Sequence, residues 1–268
     1  YYSDLQAAFD EAAEGAVVEL FSGVYEEAIV MPLKSITLKG GDNTLLKGGI
    51  EFAHGTVPQG IQITIEGLSF EGKGIKLVGW GATDLIGNAQ TLTIRNNKFN
   101  NIQGEKNIYA IHINNAGDAI AGLRIVDNEF NNNQTGAFCA TVRGEVVIKG
   151  NKIMNSGMNG GTLNFIDDTG NAATSVQIKD NQFIEWGLNK NDAGNYEGRA
   201  LRLSKFADGS VVDITNNVFL CTNPPEEHIK ATGINDGSTV TLNENYWGTE
   251  KPDFDAMLNT EGKINVTS

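Results

Sequence analysis

The sequence predicts an all-β fold wound as a parallel solenoid. Three observations predict it: a strand-and-corner unit that recurs along the chain, an asparagine at one fixed place in each unit, and an aromatic or apolar residue two positions later. The units read ITLKGGDN (36–43), ITIEGLSF (63–70), LTIRNNKF (92–99), LRIVDNEF (123–130), VVIKGNKI (146–153), VQIKDNQF (176–183), VDITNNVF (212–219) and VTLNENYW (240–247). Their second apolar residues are Leu38, Ile65, Ile94, Ile125, Ile148, Ile178, Ile214 and Leu242, separated by 27, 29, 31, 23, 30, 36 and 28 residues. A repeat of this length with variable insertions marks stacked units, each burying its apolar face against the next.

The chain opens with a helix signal. Ser3 and Gln6 have capping-box spacing, and Leu5, Ala8, Phe9 and Ala12 then fall on one helical face. Gly15 stops the helix, and Val17-Val18-Glu19-Leu20 enters the first coil. Residues 1–15 are thus expected to cap one end of the solenoid, whose terminal edge must be hidden.

Within each unit, alternation of period two sends Leu92 and Ile94 inward and Thr93 outward. Asn97, Asn128, Asn151, Asn181, Asn217 and Asn245 recur at the next corner. Asparagine tolerates left-handed backbone, and its amide bonds locally or with an identical neighbour one turn away. The following Phe99, Phe130, Ile153, Phe183, Phe219 and Trp247 are expected to point inside and stack.

A second strand family lies between these units. Gly74–Leu77, Ala110–Ile113, Ala137–Ala140, Thr162–Phe165, Ala200–Leu203 and Ala231–Ile234 align as small, apolar, variable, apolar. That alignment gives an outward column of Lys76, His112, Cys139, Asn164, Arg202 and Gly233. Three residues on, a second row runs through Asp167, Lys205 and Asp236. The coils span 16–248, and 249–268 is a C-terminal cap or the start of a linker, with the strand-like Ile264-Asn265-Val266 near its end. The ending suggests a larger multidomain surface protein.

The xIxIxxNxF repeat, the asparagine ladder and the aromatic stack cover roughly residues 36–248. On these the chain resembles the right-handed parallel β-helix superfamily, the pectate-lyase-like proteins. The resemblance implies a single-stranded right-handed parallel β-helix of about eight coils, a bacterial, extracellular or cell-surface location, and a polysaccharide or glycan partner. It does not choose an activity, because the fold hosts lyases, hydrolases, esterases, epimerases and non-catalytic adhesins. Gly23-Val24-Tyr25-Glu26-Glu27 is similar to the G-x-Y-x-E of pectin methylesterases, but that family's Q-D-T-L, D-F-I-F-G and L-G-R-P-W segments are missing. The N-T-D, G-H-G and R-I-K of polygalacturonases and the D-P-H-E of alginate epimerases are missing too. A lyase-like site needs a basic Lys or Arg beside calcium-binding acids. Arg202 or Lys76 supplies the base, yet no acids cluster on the same column.

Composition narrows the classes further. The 268 residues are 40% hydrophobic and include 32 Gly, 30 Asn and 5 Pro, which suits a folded chain. No apolar run reaches the length of a spanning helix, so no membrane insertion is expected. A net charge of −13 argues against nucleic acid as a partner. The two cysteines, Cys139 and Cys221, rule out a disulfide scaffold. His54, His112 and His228 show no metal-ligand spacing, and no calcium-loop motif is present, so no metal or other cofactor is assigned.

The candidate ligand-binding residues are Lys76, His112, Asn164, Asp167, Trp186, Arg202 and Asp236. Strand spacing near 4.8 Å brings the column members together. The insertion 185–198 carries Trp186 and Tyr196 as sugar-stacking rings along a groove wall. Two readings follow. One is a module that binds glycan or adheres without catalysis. The alternative is a polysaccharide lyase or glycoside hydrolase using this face and the 185–198 loop, with Asp167-Asp168 paired with Asp236 or with Glu197 as carboxylates; two coil rises lie at the edge of the spacing that inversion requires.

Overall fold

A computed structural model of the chain describes residues 4–52, 60–78, 91–104, 108–114, 120–165, 174–191, 193–206, 208–234, 237–260 and 264–267. Among them the chain winds as a right-handed parallel β-helix with three parallel sheets. The first sheet takes the repeat strands, from Ala16–Glu19 through Ile36–Lys39, Gln62–Glu66, Thr91–Arg95 and onward to Thr239–Asn243 and Ile264–Thr267. The second sheet has eight short strands, from Gly23–Tyr25 to Val218–Leu220. The third runs from Ile29–Met31 through Ile75–Val78, Ile111–Asn114, Asn159–Phe165 and Leu201–Ser204 to Ile229–Thr232 and Leu258–Asn259. One long strand, Gly136–Lys149, belongs to the third sheet at its start and to the first at its end, joining the two into eighteen strands.

The register of the first sheet is the one the repeat predicts. Leu38, Ile65, Ile94, Ile125, Ile148, Ile178, Ile214 and Leu242 are successive Cα partners, with Val18 below and Val266 beyond. All eight are essentially buried. The column is therefore a continuous aliphatic core, worth about 1.5–3 kcal/mol per side chain removed from water.

The asparagines form the predicted ladder. Each Nδ2 donates to the next Oδ1: Asn97 to Asn128 at 3.1 Å, Asn128 to Asn151 at 3.1 Å, Asn151 to Asn181 at 2.9 Å, Asn181 to Asn217 at 3.0 Å and Asn217 to Asn245 at 3.0 Å. The left-handed bend, however, is made one residue earlier. Asn96, Asp127, Asp180, Asn216 and Glu244 have φ between 51° and 58°, and Gly150 has 67°. The ladder asparagine itself keeps its N–H aimed at the next Oδ1, as Asn128 N does to Asn151 at 3.0 Å. A second left-handed corner follows the second sheet at Asn101, Asn132, Asn155 and Glu185. There Asn132 Nδ2 donates to Asn101 Oδ1 at 2.7 Å. Two asparagine-bearing corners per turn account for the abundance of this residue.

Inside, Phe70, Phe99 and Phe130 stack with centroids 4.5 and 4.8 Å apart, and Phe183, Phe219 and Trp247 continue at 5.2 and 4.8 Å. Ile153 occupies the rung between the two runs. At the N-terminal end the helix Leu5–Glu11 covers the core with Ala8 and Phe9. Its N-cap is Asp4, whose carboxylate accepts from Gln6 N at 2.8 Å; Ser3 lies outside the described residues. At the other end a single helical turn, Phe254–Met257, precedes Leu258–Asn259, which pairs with Ile229–Lys230.

Candidate functional site

The outward face of the third sheet is set by register, and the register differs from the sequence alignment in two places. The successive Cα partners are Lys76, His112, Cys139, Thr162, Arg202, Lys230 and Asn259. Asn164 is therefore not in the column with His112 and Arg202. It sits two residues along, beside Ser204, whose Oγ donates to Asn164 Oδ1 at 2.7 Å. A slip of two preserves the inward and outward alternation, so the pattern cannot detect it. Packing decides: Gly161 faces Phe138, and a Cβ there would lie 2.1 Å from the ring. Lys230, in turn, replaces Gly233 beside Arg202, because Ile229 and Ala231 are the inward residues of that strand.

Lys76 and Arg202 are exposed as expected, and Lys230 is partly so. His112 is not part of a solvated face. It is 6% exposed, like Cys139 and Thr162 at 6% and 7%. Tyr109 lies across these rungs. Its ring stands edge-on to His112 at 5.9 Å, and its hydroxyl meets Thr162 Oγ1 at 3.1 Å and accepts from Asn159 Nδ2 at 3.0 Å. Tyr109 N donates to His112 Nδ1 at 3.4 Å. Burial raises the Tyr109 hydroxyl above its usual range and pushes the Cys139 thiol up to about 12, with Arg202 opposing both. Both groups stay protonated at neutral pH.

A hydrogen-bonded chain continues along the leading edge of this sheet. Asn159 Oδ1 accepts from Arg199 N at 3.1 Å, and the Arg199 guanidinium donates to Glu226 Oε1 at 2.5 Å and to Glu227 Oε2 at 3.0 Å. Burial alone would raise the Glu227 carboxyl. Hydrogen bonds from Asn259 and the backbone, together with Arg199, outweigh it and hold the group below the usual range. These two carboxylates are tied to a mostly buried cation and serve to fix the strands.

Trp186 does not line a groove: it is 1% exposed. It is the first residue past the second corner, the place held by Ile102, Asn133 and Ser156 on earlier turns, and all four are buried. The chain direction at that corner sends the side chain inside, where the indole meets His228 edge-on at 5.1 Å. The exposed ring of the insertion is Tyr196, at 54%, with Lys190 Nζ 5.1 Å from its centroid. Asn191 braces this loop by donating to Glu197 Oε1 at 2.6 Å. Asp167 and Asp236, with Asp168, lie outside the described residues.

The face that results is a strip with cations at its two ends, Lys76 at one and Arg202 and Lys230 at the other, and the buried His112, Cys139 and Thr162 between them. Arg202 and Lys230 are adjacent rungs, and among the described residues neither has an ion-pair partner. At the strip's N-terminal end a cavity of about 250 Å³ is lined by Glu51, Lys73, Lys76, Gln103 and Tyr109. Among the described residues no three His, Cys, Asp or Glu side chains converge as a metal site. Lys230, Thr162 and Tyr109 were missed by sequence reasoning; the Ile229-Lys230-Ala231 alternation was the available signal for Lys230.

The fold and this strip define a β-helix with a polar, locally basic sheet face. No protein-family model matches the chain, and no curated protein matches it in sequence. No described helix is long and apolar enough to cross a membrane.

Proposed function

We propose that this protein binds an extended glycan along the outer face of the third sheet, holding it without cleaving it. The observation that carries the reading is the adjacent-rung pair of cations Arg202 and Lys230, with Lys76 in the same column four rungs before Arg202. A rung spacing of about 4.8 Å approximates the rise of one sugar unit in an extended chain, so two successive units would meet Arg202 and Lys230. Adjacent Arg202 and Lys230 favour a unit bearing a carboxylate or sulfate, through charge-assisted hydrogen bonds. The exposed Tyr196 ring, on the loop that precedes the Arg202 strand in the chain, is the stacking platform in this reading. An extracellular or cell-surface location goes with this reading.

The test is a titration of the purified chain against neutral, carboxylated and sulfated polysaccharides, with release of reducing ends and unsaturated products followed in parallel. Binding should weaken about tenfold for each of Arg202→Ala and Lys230→Ala, the loss of one charge-assisted contact. Unchanged binding in the double variant would remove the strip from consideration. Turnover abolished by Arg202→Ala would instead establish a polysaccharide lyase or hydrolase.

A further inference from the structure

The opposite pole of the charge distribution lies at the N-terminal end. The first 33 residues contain Asp4, Asp10, Glu11, Glu14, Glu19, Glu26 and Glu27 and no Lys or Arg. Hydrogen bonds from Ser35 hold the Glu14 carboxyl below its usual range, so it stays charged. Here a groove of about 850 Å³ runs between the cap helix and the first coil, with Leu5, Ala8, Ala12, Val18, Leu20 and Tyr25 among its walls. Asp4 and Glu19 stand at its margin, Glu19 in an exposed ion pair with Lys39 at 3.2 Å that solvent screens. Val17 and Phe21, which also line it, are 60% and 61% exposed.

The groove has a strand edge as one side. Ala16–Glu19 pairs with Ile36–Lys39, and among the described residues no strand pairs with its other edge. An exposed edge flanked by apolar side chains is a template for a further strand. Residues of an added parallel strand would alternate like their neighbours. Those beside Val18 would face the helix residues Leu5, Ala8 and Ala12, and those beside Glu19 would face solvent. The first set calls for apolar side chains and the second for cations.

We propose that this groove binds a basic, strand-forming peptide segment of a partner protein, added in parallel to Ala16–Glu19. Charge disfavours a second copy stacked end to end. The described residues 239–260 at the far end carry Glu244, Glu250, Asp253 and Asp255 against Lys251, so two acidic ends would meet.

The probe is an end-blocked octapeptide alternating valine and lysine, labelled and titrated with the full chain by fluorescence anisotropy. Binding is expected at low salt, weakened about tenfold by Val17→Lys and by Glu19→Lys, and lost when the peptide's valine amides are N-methylated. Valine–glutamate peptide should not bind. Both substitutions fall on exposed positions, and melting curves of the variants check that they fold. Affinity unaffected by either substitution or by N-methylation, equal binding of the valine–glutamate peptide, or no binding up to millimolar peptide would overturn the proposal. So would sedimentation showing a dimer that Val17→Lys dissolves, which would make a second copy the occupant.

Discussion

Replacing Asn151 with alanine removes the middle of the asparagine ladder, and the structure sets the size of the effect. Asn151 Oδ1 accepts from Asn128 N at 3.0 Å and Asn128 Nδ2 at 3.1 Å. Its Nδ2 donates to Asn181 Oδ1 at 2.9 Å and to Ile125 O at 2.8 Å. Truncation orphans the Asn128 N–H and the Ile125 carbonyl in a region with no path to water, since Asn151 is 1% exposed. Asn181 Oδ1 keeps the Asn151 backbone N–H as a donor at 2.9 Å. Each orphaned buried group costs about 1–3 kcal/mol, so the variant should lose about 4 kcal/mol. For a chain of this size that lowers the melting temperature by on the order of 10 °C. The control is Asn245→Ala at the ladder's end, where a half-buried amide is within reach of water; its cost should be less than half as large. Far-UV circular dichroism during thermal and urea unfolding reads both. A loss under about 1 kcal/mol for Asn151→Ala, or equal losses at the two sites, would refute the reasoning that burial of the ladder gives it its energy.

Gly161→Ala should destabilise by roughly 1–3 kcal/mol or more, because its Cβ would overlap the Phe138 ring at 2.1 Å; urea midpoints measure it. His228, buried against Trp186 and Trp247, has its pKa lowered by burial, so the unfolded chain binds a proton more readily. Stability from the neutral ring is therefore full above the unfolded value of about 6.5 and falls as pH drops toward the folded value, a slope that His228→Gln should flatten in melting curves between pH 7.5 and 5. Cys139, its thiol pushed up to about 12 by burial, should resist disulfide-exchange reagents at pH 8 in the native protein and react at once in denaturant. The half-buried Cys221, raised by burial and close to Glu185, should react slowly under native conditions.

The linear sequence determined the solenoid. An aliphatic at every second position, an asparagine at each corner and an aromatic two places on are local demands that recur each turn. Their spacing alone aligned Leu38 through Leu242 as the structure pairs them. It also placed Lys76 and Arg202 on one outer face. What tertiary structure decided was the register of the second strand family, the covering of its outer face and the direction of each loop residue. Asn164 slipped by two because in-out parity is blind to such a shift, and only the fit of Phe138 over Gly161 resolves it. His112 reads as a surface residue until Tyr109, three residues earlier, is held across it by Thr162 and Asn159. Trp186 reads as a loop aromatic until the second corner shows that its position points inward, as it does for Ile102, Asn133 and Ser156. Each of these depends on contacts between residues tens of positions apart, which periodicity cannot encode.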